Sequence, residues 1–277
     1  MATLGDVTGQ VRSMGSARAV VVLAAGACWI GSWRNVMRHD AQSYPRGLLS
    51  FVDLSFLHQP SVWWLLTAVT AAGLCSWALR FRQGLSGSMA MAGLWLGAIA
   101  EHALFPGDTG VRHGKFMVGA VLLAWLIGYR LVRDRSTAAR ERHGHEWACG
   151  AVAALYLMAG LSKLFAAGLV WGQGGGVALQ IAAGGGYGPE PVRALRIWVA
   201  TDPLLPGLLA AGTLAIELSG VFFIAPRFRR IVAWLTAIMH LGIAFMLGFY
   251  YFIVWSPLVF ALAYGSLARS EEDVQDT

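Results

Sequence analysis

A few ionisable side chains inside otherwise apolar stretches are the residues that could do chemistry in this chain. They are Glu101, His102, Lys163, Glu217 and His240, with His113 and Lys115 at the start of a further apolar stretch. An ionised group at the centre of a lipid bilayer costs about 2.5–3.5 kcal/mol or more, so such a group is expected to be functional or paired. These positions are therefore the candidates for a functional site.

Lys163 is the residue that we weigh most heavily. It is one of only two lysines, and residues 158–162 before it carry no charge. Desolvation disfavours the charged ammonium, so an amine in this setting could act as a neutral base near pH 7. Tyr156, Gly160 and Ala167 follow the same helical stripe, at spacings of four, three and four residues. A lysine that extends to the outer membrane surface explains the position equally well.

Depth along the predicted helices, at about 1.5 Å per residue, separates these side chains into two layers. The expected outer layer holds Lys163, His113, Glu101 and His102. In the expected deeper layer, Glu217 pairs with His240, which shares a helix face with Thr236. A hydrogen bond that only holds two helices in register is the alternative for that pair. An interfacial pair near water is the alternative for Glu101 and His102.

The elements that must position these residues are membrane helices. Of 277 residues, 57% are hydrophobic and only 13% are charged, against about 25% charged in an ordinary soluble domain. A soluble fold of this size could not bury so many apolar side chains without a large exposed patch. Glycine has no three-residue period and only three cysteines occur, which excludes collagen-like and disulfide-framework classes. The chain is therefore predicted to be an integral membrane protein.

Hydropathy predicts an all-α fold, a polytopic transmembrane helical bundle of about eight spans, each near the ~20 residues that a bilayer requires. The predicted spans are 17–33, 61–79, 87–105, 114–132, 147–168, 203–224, 231–249 and 251–268. Residues 1–16 form a predicted cytoplasmic N-terminal tail, 17–268 the transmembrane domain and 269–277 an acidic cytoplasmic tail. The boundary between the last two spans is weak, because one kinked element or a tight turn fits it equally well.

Basic residues indicate the orientation. Only two of the 21 basic residues are lysines, and the arginines cluster in short loops between apolar runs. They are more frequent in the loops on the side of the N-terminus, so the positive-inside rule predicts an inner (plasma) membrane protein with both termini in the cytoplasm. This distribution does not predict a nucleic-acid partner. His143 and His145 fall in the Arg-rich inner loop and are expected to be solvated.

Residues 169–202 are longer than a connection requires. A glycine run at 174–176 and a second one at 184–186 permit unusual backbone angles and close approach. A re-entrant or surface segment over a cavity is one interpretation, since irregular backbone at membrane depth must be buried in protein or line water. An irregular outer loop is the other, and the sequence favours neither.

No metal site is predicted. The histidines lack the spacing that places two imidazoles on one helix face, and the sequence has no Glu-x-x-His pair. It has no phosphate loop and no dinucleotide-binding fingerprint either.

The stretch 156–164, with the sequence YLMAGLSKL, is followed by Trp171 and Gly172. It resembles the signature of vitamin K-dependent gamma-carboxylases and is similar to the wider HTTM (horizontally transferred transmembrane) family. An acidic residue in the next helix, a later histidine and a histidine before the lysine helix are similar in order and character: Glu217, His240 and His113. The resemblance covers roughly 17–268.

The resemblance implies a function. Lys163 would be the base that deprotonates a reduced, vitamin K-like quinone, whose anion reacts with oxygen. His113 would donate a hydrogen bond to the developing negative charge. The remaining candidates would bind or shape the cofactor site, or support it: Trp171, Tyr156, His102 and Glu101, with Glu217 and His240 in support.

The chain departs from the carboxylases in one respect. Those enzymes carry a large lumenal domain that captures a propeptide, whereas the longest outer segment here is 169–202. The hypothesis is therefore a carboxylase-like or quinol-oxidising membrane enzyme. Its expected partners are membrane lipid, a lipid quinone or small apolar substrate, and a small exported peptide.

The alternative to an enzyme is a non-enzymatic membrane accessory factor, or a quinone-binding subunit, that supports an exported peptide or a redox partner. A transporter is disfavoured, because no inverted repeat or pair of broken helices is visible in the sequence.

Overall fold

The computed structural model describes residues 17–33, 56, 59–104, 109–133, 135–184, 188–248 and 252–265, and of residues 100–104, 109–115, 169, 252 and 253 the backbone alone. The predicted all-α fold is confirmed for these residues, which form ten α-helices and short 3-10 turns and contain no strand. The helices are α1 (Ala17–Trp33), α2 (Pro60–Ala78), α3 (Gln83–Leu104), α4 (Thr109–Leu131), α5 (Thr137–Ala167), α6 (Gly175–Gly184), α7 (Glu190–Thr201), α8 (Leu205–Ser219), α9 (Arg229–Leu247) and α10 (Phe252–Gly265).

Each predicted span coincides with a helix, because an apolar run in lipid satisfies its backbone hydrogen bonds internally as a helix. Among the described residues, four stretches are long and apolar enough to cross a membrane: Pro60–Ala78, Thr137–Ala167, Leu205–Ile224 and Pro226–Leu247. Three further apolar stretches, which lie in α1, α4 and α10, are shorter: Ala17–Trp33, Phe116–Leu131 and Val254–Gly265. These helices indicate a membrane protein, whereas the number of eight spans stays a prediction.

The fifth predicted span begins earlier than its hydropathy suggests. α5 starts at Thr137, where the Ser136 Oγ accepts a hydrogen bond of 3.3 Å from a backbone N–H of the first turn. The prediction that His145 is solvated is wrong, because the helix turns this residue inward. It is 1% exposed and stacks on Trp125. His143 is exposed, as predicted.

The segment 169–202 is helical over most of its described residues, so its interpretation as an irregular loop is wrong there. A 3-10 turn (Gly168–Gln173) leads into α6, and α7 follows. α6 packs against α7, α8 and α9 and buries Ile181 completely. α7 has two faces, one with Arg196 buried and one with Trp198 exposed. A re-entrant or surface placement of this segment stays a prediction.

The last two predicted spans are two antiparallel helices and not one kinked element. α9 ends at Gly248, whose φ of 73° lies in the left-handed region that glycine adopts readily. Trp234 near the start of α9 contacts Phe260 in α10, with ring centroids 4.9 Å apart. α10 therefore folds back along α9.

Contacts divide the chain into two compact units. The first unit comprises Met1–Ala151 with Tyr264–Thr277, and the second comprises Val152–Ala263. α5 runs through both, because its first half belongs to the first unit and its second half to the second. Lys163 and Glu217 both lie in the second unit.

Indole rings seated on glycines pack the helices of the first unit. At four contacts, a Cβ added to the glycine would lie 2.4–2.6 Å from a tryptophan ring: Trp29 on Gly97, Trp95 on Gly119, Trp125 on Gly144 and Trp147 on Gly128. Small residues let membrane helices approach closely, which is where their packing energy arises. The frequent glycine and tryptophan of this sequence thus act as complementary partners.

A buried ion pair joins α1 to α5 within the first unit. Arg18 is 2% exposed and donates hydrogen bonds to the Glu141 carboxylate and, at 2.5 Å, to the carbonyl of Trp77. Its guanidinium carbon lies 4.5 Å from the Trp77 ring centroid and 5.6 Å from that of Trp125. The carboxylate and the two aromatic faces compensate for removing this cation from water.

Polar side chains satisfy backbone groups at the start of α8 and at the end of the 3-10 turn (Gly220–Ile224) that follows it. Asp202 Oδ1 accepts hydrogen bonds from the N–H groups of Leu204 at 2.8 Å and Leu205 at 2.9 Å. At the other end, Arg229 is fully buried and donates to the carbonyl of Phe223 at 2.9 Å and to the next carbonyl at 3.1 Å. The ends of a helix leave such groups without intrahelical partners.

The Asp202 cap predicts acid sensitivity. The N–H groups of Leu205 and Leu204 hold the pKa of Asp202 below its ordinary value of 3.8. Its carboxylate therefore adds stability above that value, and this contribution is lost as the pH falls through the lowered pKa of the folded protein. We expect Asp202→Asn, which cannot ionise, to lower the Tm near neutral pH and to reduce the further drop of Tm below about pH 4.

Thermal unfolding in detergent, followed by circular dichroism at several pH values, measures this difference. Parallel profiles of Tm against pH for the wild type and the variant would contradict the prediction.

Candidate functional site

α5 and α8 approach closely where each presents a glycine to the other. A Cβ added to Gly160 would lie 2.9 Å from the Leu218 side chain and 3.3 Å from the Cβ of Glu217. A Cβ added to Gly220, the residue that caps the C-terminal end of α8, would lie 2.4 Å from the Cβ of Tyr156. Tyr156 precedes Gly160 in the chain, whereas Gly220, which Tyr156 faces, follows Glu217 and Leu218, which Gly160 faces. The two helices therefore run antiparallel.

This approach brings Lys163 against Glu217. The Lys163 Nζ lies 2.5 Å and 2.6 Å from the two carboxylate oxygens and 3.5 Å from the carbonyl of Ala159. The Glu217 side chain is 9% exposed and that of Lys163 is 24% exposed. A carboxylate with so little water needs a partner, because an uncompensated buried charge costs several kcal/mol. Lys163 supplies that partner, and its side chain remains partly exposed.

The observed contact differs from the expected pairing of Glu217 with His240. Depth counted from Cα positions ignores the direction of the lysine side chain. Long side chains on a helix point towards its N-terminus, and the Lys163 amine accordingly reaches back to the carbonyl of Ala159. At that level Gly160 faces Glu217. The assignment of Lys163 and Glu217 to separate layers is therefore wrong.

Trp171 lies beside the same amine. The Lys163 Nζ is 5.7 Å from the centroid of its ring, within the range of a cation–π contact. The turn Gly168–Gln173 that carries Trp171 packs on the start of α8, where a Cβ on Gly174 (φ 75°) would lie 2.3 Å from the backbone nitrogen of Gly207. The close approach expected of the glycine run is confirmed there. The Trp171 Nε1 is buried and has no hydrogen-bond partner among the described residues.

Tyr156 and His240 form a second buried contact between α5 and α9. The Tyr156 hydroxyl lies 3.5 Å from the His240 Nε2, and the two side chains belong to residues that are 3% and 8% exposed. Thr236, one turn before His240 on the same face of α9, is fully buried as well and donates a hydrogen bond of 3.0 Å to the carbonyl of Ala233. The His240 Nδ1 is buried and has no partner within the described part of the chain. The predicted common face of His240 and Thr236 is confirmed.

Three of the four residues that were predicted to lie on one face of α5 do share a face. Tyr156, Gly160 and Lys163 all contact α8. One face of α5 therefore supplies Lys163 to the ion pair and Tyr156 to the contact with His240.

Glu101 and His102 lie near the end of α3, and His113 lies near the start of α4, but their side chains are outside the described residues. The two helices pack against each other, and the end of α3 adjoins the start of α4 in the chain. The expectation that these three side chains share a layer with Lys163 stays a prediction. So does the role of His113 in stabilising negative charge.

The buried pair of Arg18 and Glu141 is not apparent from hydropathy, because residue 141 falls in the predicted Arg-rich loop. The signal that could reveal it is Ser136, a favourable helix N-cap residue that places the start of α5 before Glu141.

The ion pair on α5 and α8 can hold and relocate a proton. In surroundings of low polarity, full charge separation is less favourable than in water, so a lysine–carboxylate pair can interconvert with a neutral amine and a carboxylic acid. Transfer of one proton from Lys163 to Glu217 leaves a neutral amine beside Trp171. A neutral amine is a base, whereas the paired ammonium is not.

No family model, no curated protein and no solved structure matches this chain.

The glycine contact predicts a position-specific loss of stability. Gly220→Ala places a Cβ 2.4 Å from the Cβ of Tyr156, so α5 and α8 must separate. We expect the free energy of unfolding to fall by about 1–3 kcal/mol, as for other overpacked interiors. Gly212→Ala is the matched control in the same helix, because nothing lies within 4 Å of its added Cβ.

Alanine favours a helix over glycine by up to about 1 kcal/mol, so Gly212→Ala should be neutral or stabilising. Thermal unfolding in detergent compares the two variants. Equal effects of both substitutions would contradict the close approach at Gly220.

The ion pair predicts strong coupling between two substitutions. Lys163→Met leaves the Glu217 carboxylate buried without a partner, and we expect a loss of about 3–5 kcal/mol in the free energy of unfolding. Lys163→Met combined with Glu217→Met removes both charges, and we expect this double variant to lie within about 1–2 kcal/mol of the wild type.

Unfolding titrations of the wild type, both single variants and the double variant in mixed micelles measure the coupling. Additive effects of the two substitutions would show that the side chains do not pair in the membrane protein.

Proposed function

We propose that this chain is an HTTM-like integral membrane enzyme that deprotonates and oxidises a reduced quinone or a similar apolar substrate, with Lys163 as the base. The observation that carries the proposal is Lys163, whose side chain is partly exposed and whose amine is paired with a buried carboxylate and lies beside the Trp171 ring. The resemblance of residues 156–164 to the carboxylase signature supports the same role.

The surroundings of the amine suit such a substrate. A quinol supplies an acidic hydroxyl and, once deprotonated, electrons for the reduction of oxygen. Its flat apolar ring matches the indole face of Trp171 and the membrane-embedded setting of α5 and α8. The Trp171 Nε1 is buried and has no partner among the described residues. Its N–H would donate a hydrogen bond to an oxygen of the substrate.

The proton step uses both members of the pair. Glu217 first takes a proton from Lys163, which leaves a neutral amine and a neutral carboxylic acid. Lys163 then takes the proton of the substrate hydroxyl, and the resulting ammonium lies against the substrate anion while Glu217 stays protonated. Because Glu217 stays protonated and neutral, the substrate anion does not lie beside a second anion. Two anions close together in surroundings of low polarity would be unfavourable.

His113, Glu101 and His102 complete the proposed site. His113 would donate a hydrogen bond to the developing negative charge, and Glu101 and His102 would line the side that the substrate enters. Tyr156 and His240 would support Lys163 and Glu217 from within the helix interface. We place the protein in the inner (plasma) membrane with both termini in the cytoplasm, because the basic residues are more frequent in the loops on that side.

A second candidate function is a non-enzymatic membrane accessory factor or quinone-binding subunit. One observation favours it: both carboxylate oxygens of Glu217 lie within 2.6 Å of the Lys163 amine, so the two side chains already compensate each other's charge. An ion pair of this kind could serve only to hold α5 against α8.

Quinol oxidation by the purified protein in lipid nanodiscs discriminates between these functions. With menadiol and oxygen supplied, we expect Lys163→Gln to lower the oxidation rate by about 10²–10⁴-fold, the contribution of a positioned base. Lys163→Arg should be equally impaired, because a guanidinium stays protonated. Mass spectrometry of the quinone species and oxygen consumption measure the rates.

Two further variants separate chemistry from folding. Arg193→Gln removes a cation whose partner, Glu190, lies on the exposed surface of the same unit, and its rate should equal that of the wild type. Lys163→Met with Glu217→Met should remain folded and yet lack activity. Full activity of Lys163→Gln, or a wild type no faster than the protein-free reaction with menadiol and with ubiquinol, would favour the non-enzymatic function.

A further inference from the structure

Two strained arginines lie where α2 turns into α3. Arg80 has a φ of 61° and Arg82 a φ of 41°, in the left-handed region that glycine adopts readily and other residues adopt at a cost. Among the described residues, every other positive φ belongs to a glycine. The turn therefore carries arginine twice at positions where its backbone favours glycine.

The side chains of this turn project from the protein. Leu79 is 80% exposed and Phe81 is 62% exposed, and Arg80 and Arg82 are exposed between and beside them. The Arg82 guanidinium carbon lies 5.7 Å from the centroid of the Phe81 ring. A surface that alternates apolar and guanidinium groups suits the boundary between lipid acyl chains and headgroups.

Arg130 reaches the same turn from the end of α4. Its Nη2 donates hydrogen bonds of 2.9 Å to the carbonyl of Gly84 and 3.0 Å to the Ser88 Oγ. These contacts hold the guanidinium beside the first turn of α3, close in sequence to Arg82. Further exposed arginines follow Arg130 in the chain: Arg133 and Arg135.

The positive charge at this end of the first unit has little compensation within the part that the structure describes. Glu141 is buried and paired with Arg18. The other acidic residues between positions 79 and 142 lie in α3, in the 105–108 segment or at position 134. Asp134 is not among the described residues. Among the side chains that the structure describes between positions 79 and 142, no exposed carboxylate balances these exposed arginines.

We infer that the arginine cluster of Arg80, Arg82 and Arg130 binds the headgroup phosphate of an anionic phospholipid. Planar guanidinium groups match phosphate oxygens and bind them in bidentate fashion. The cluster lies at the ends of apolar helices, which is the level of the headgroups, and Leu79 and Phe81 lie where they can contact acyl chains. Basic pockets between membrane helices recognise such headgroups. This inference does not rest on the proposed function at Lys163.

Native mass spectrometry of lipids retained by the full chain tests the site. The protein is taken from nanodiscs of phosphatidylcholine and phosphatidylglycerol in a 3:1 ratio into a mild detergent. The variant carries Arg80→Gly and Arg82→Gly, which remove two guanidinium groups and place glycine at the two left-handed positions. We expect it to bind phosphatidylglycerol up to about 30-fold more weakly, since each arginine near the surface contributes about 1 kcal/mol.

Controls separate binding from folding and from total charge. Because glycine suits both positions, the Tm of the variant in detergent should equal or exceed that of the wild type. Arg227→Gln with Arg230→Gln removes the same charge from the exposed start of α9 and the turn before it, and should leave phosphatidylglycerol retention unchanged. Equal losses in both double variants, or equal retention of the two lipids by the wild type, would overturn the proposal.

Discussion

The close approach of α5 and α8 at Gly160 and Gly220 is the contact on which the candidate site depends. Inside a bilayer, apolar side chains gain little by leaving lipid, so helices associate through close packing and polar contacts. The two glycines provide the close packing, and the ion pair of Lys163 and Glu217 provides the polar contact. The ion pair requires the close packing, because the carboxylate reaches the amine only when the two helices are close together. The close packing requires the ion pair, because it buries a carboxylate whose charge would otherwise be uncompensated.

α5 connects the polar chemistry of both units. It carries Glu141 near its start, which pairs with Arg18 of α1, and Lys163 near its end, which pairs with Glu217 of α8. An acidic residue near the N-terminus of a helix and a basic residue near its C-terminus both interact favourably with the helix dipole. A single long helix thus presents one charge of each sign, and each charge fastens a different neighbour within its own unit.

The sequence was sufficient to predict a helix at each of its long apolar stretches, and it singled out Lys163 as a candidate. It also indicated the common face of Tyr156, Gly160 and Lys163, since a helical period alone decides which side chains share a face. It failed at the start of α5, because hydropathy does not register a helix that continues through Arg-rich sequence beyond the membrane. Ser136 is the residue that could correct that boundary. It failed again for the partner of Glu217, because depth counted along separate helices ignores how far a lysine side chain extends.

By itself, the sequence determined that the chain is helical, with apolar stretches that contain few ionisable residues and are long enough to cross a membrane, because composition and periodicity are local properties. Only the tertiary structure decided which of those residues meet. Glu217 contacts Lys163 and His240 contacts Tyr156, since helix register depends on where glycines let two backbones approach. That packing is a property of pairs of helices, and no single segment encodes it.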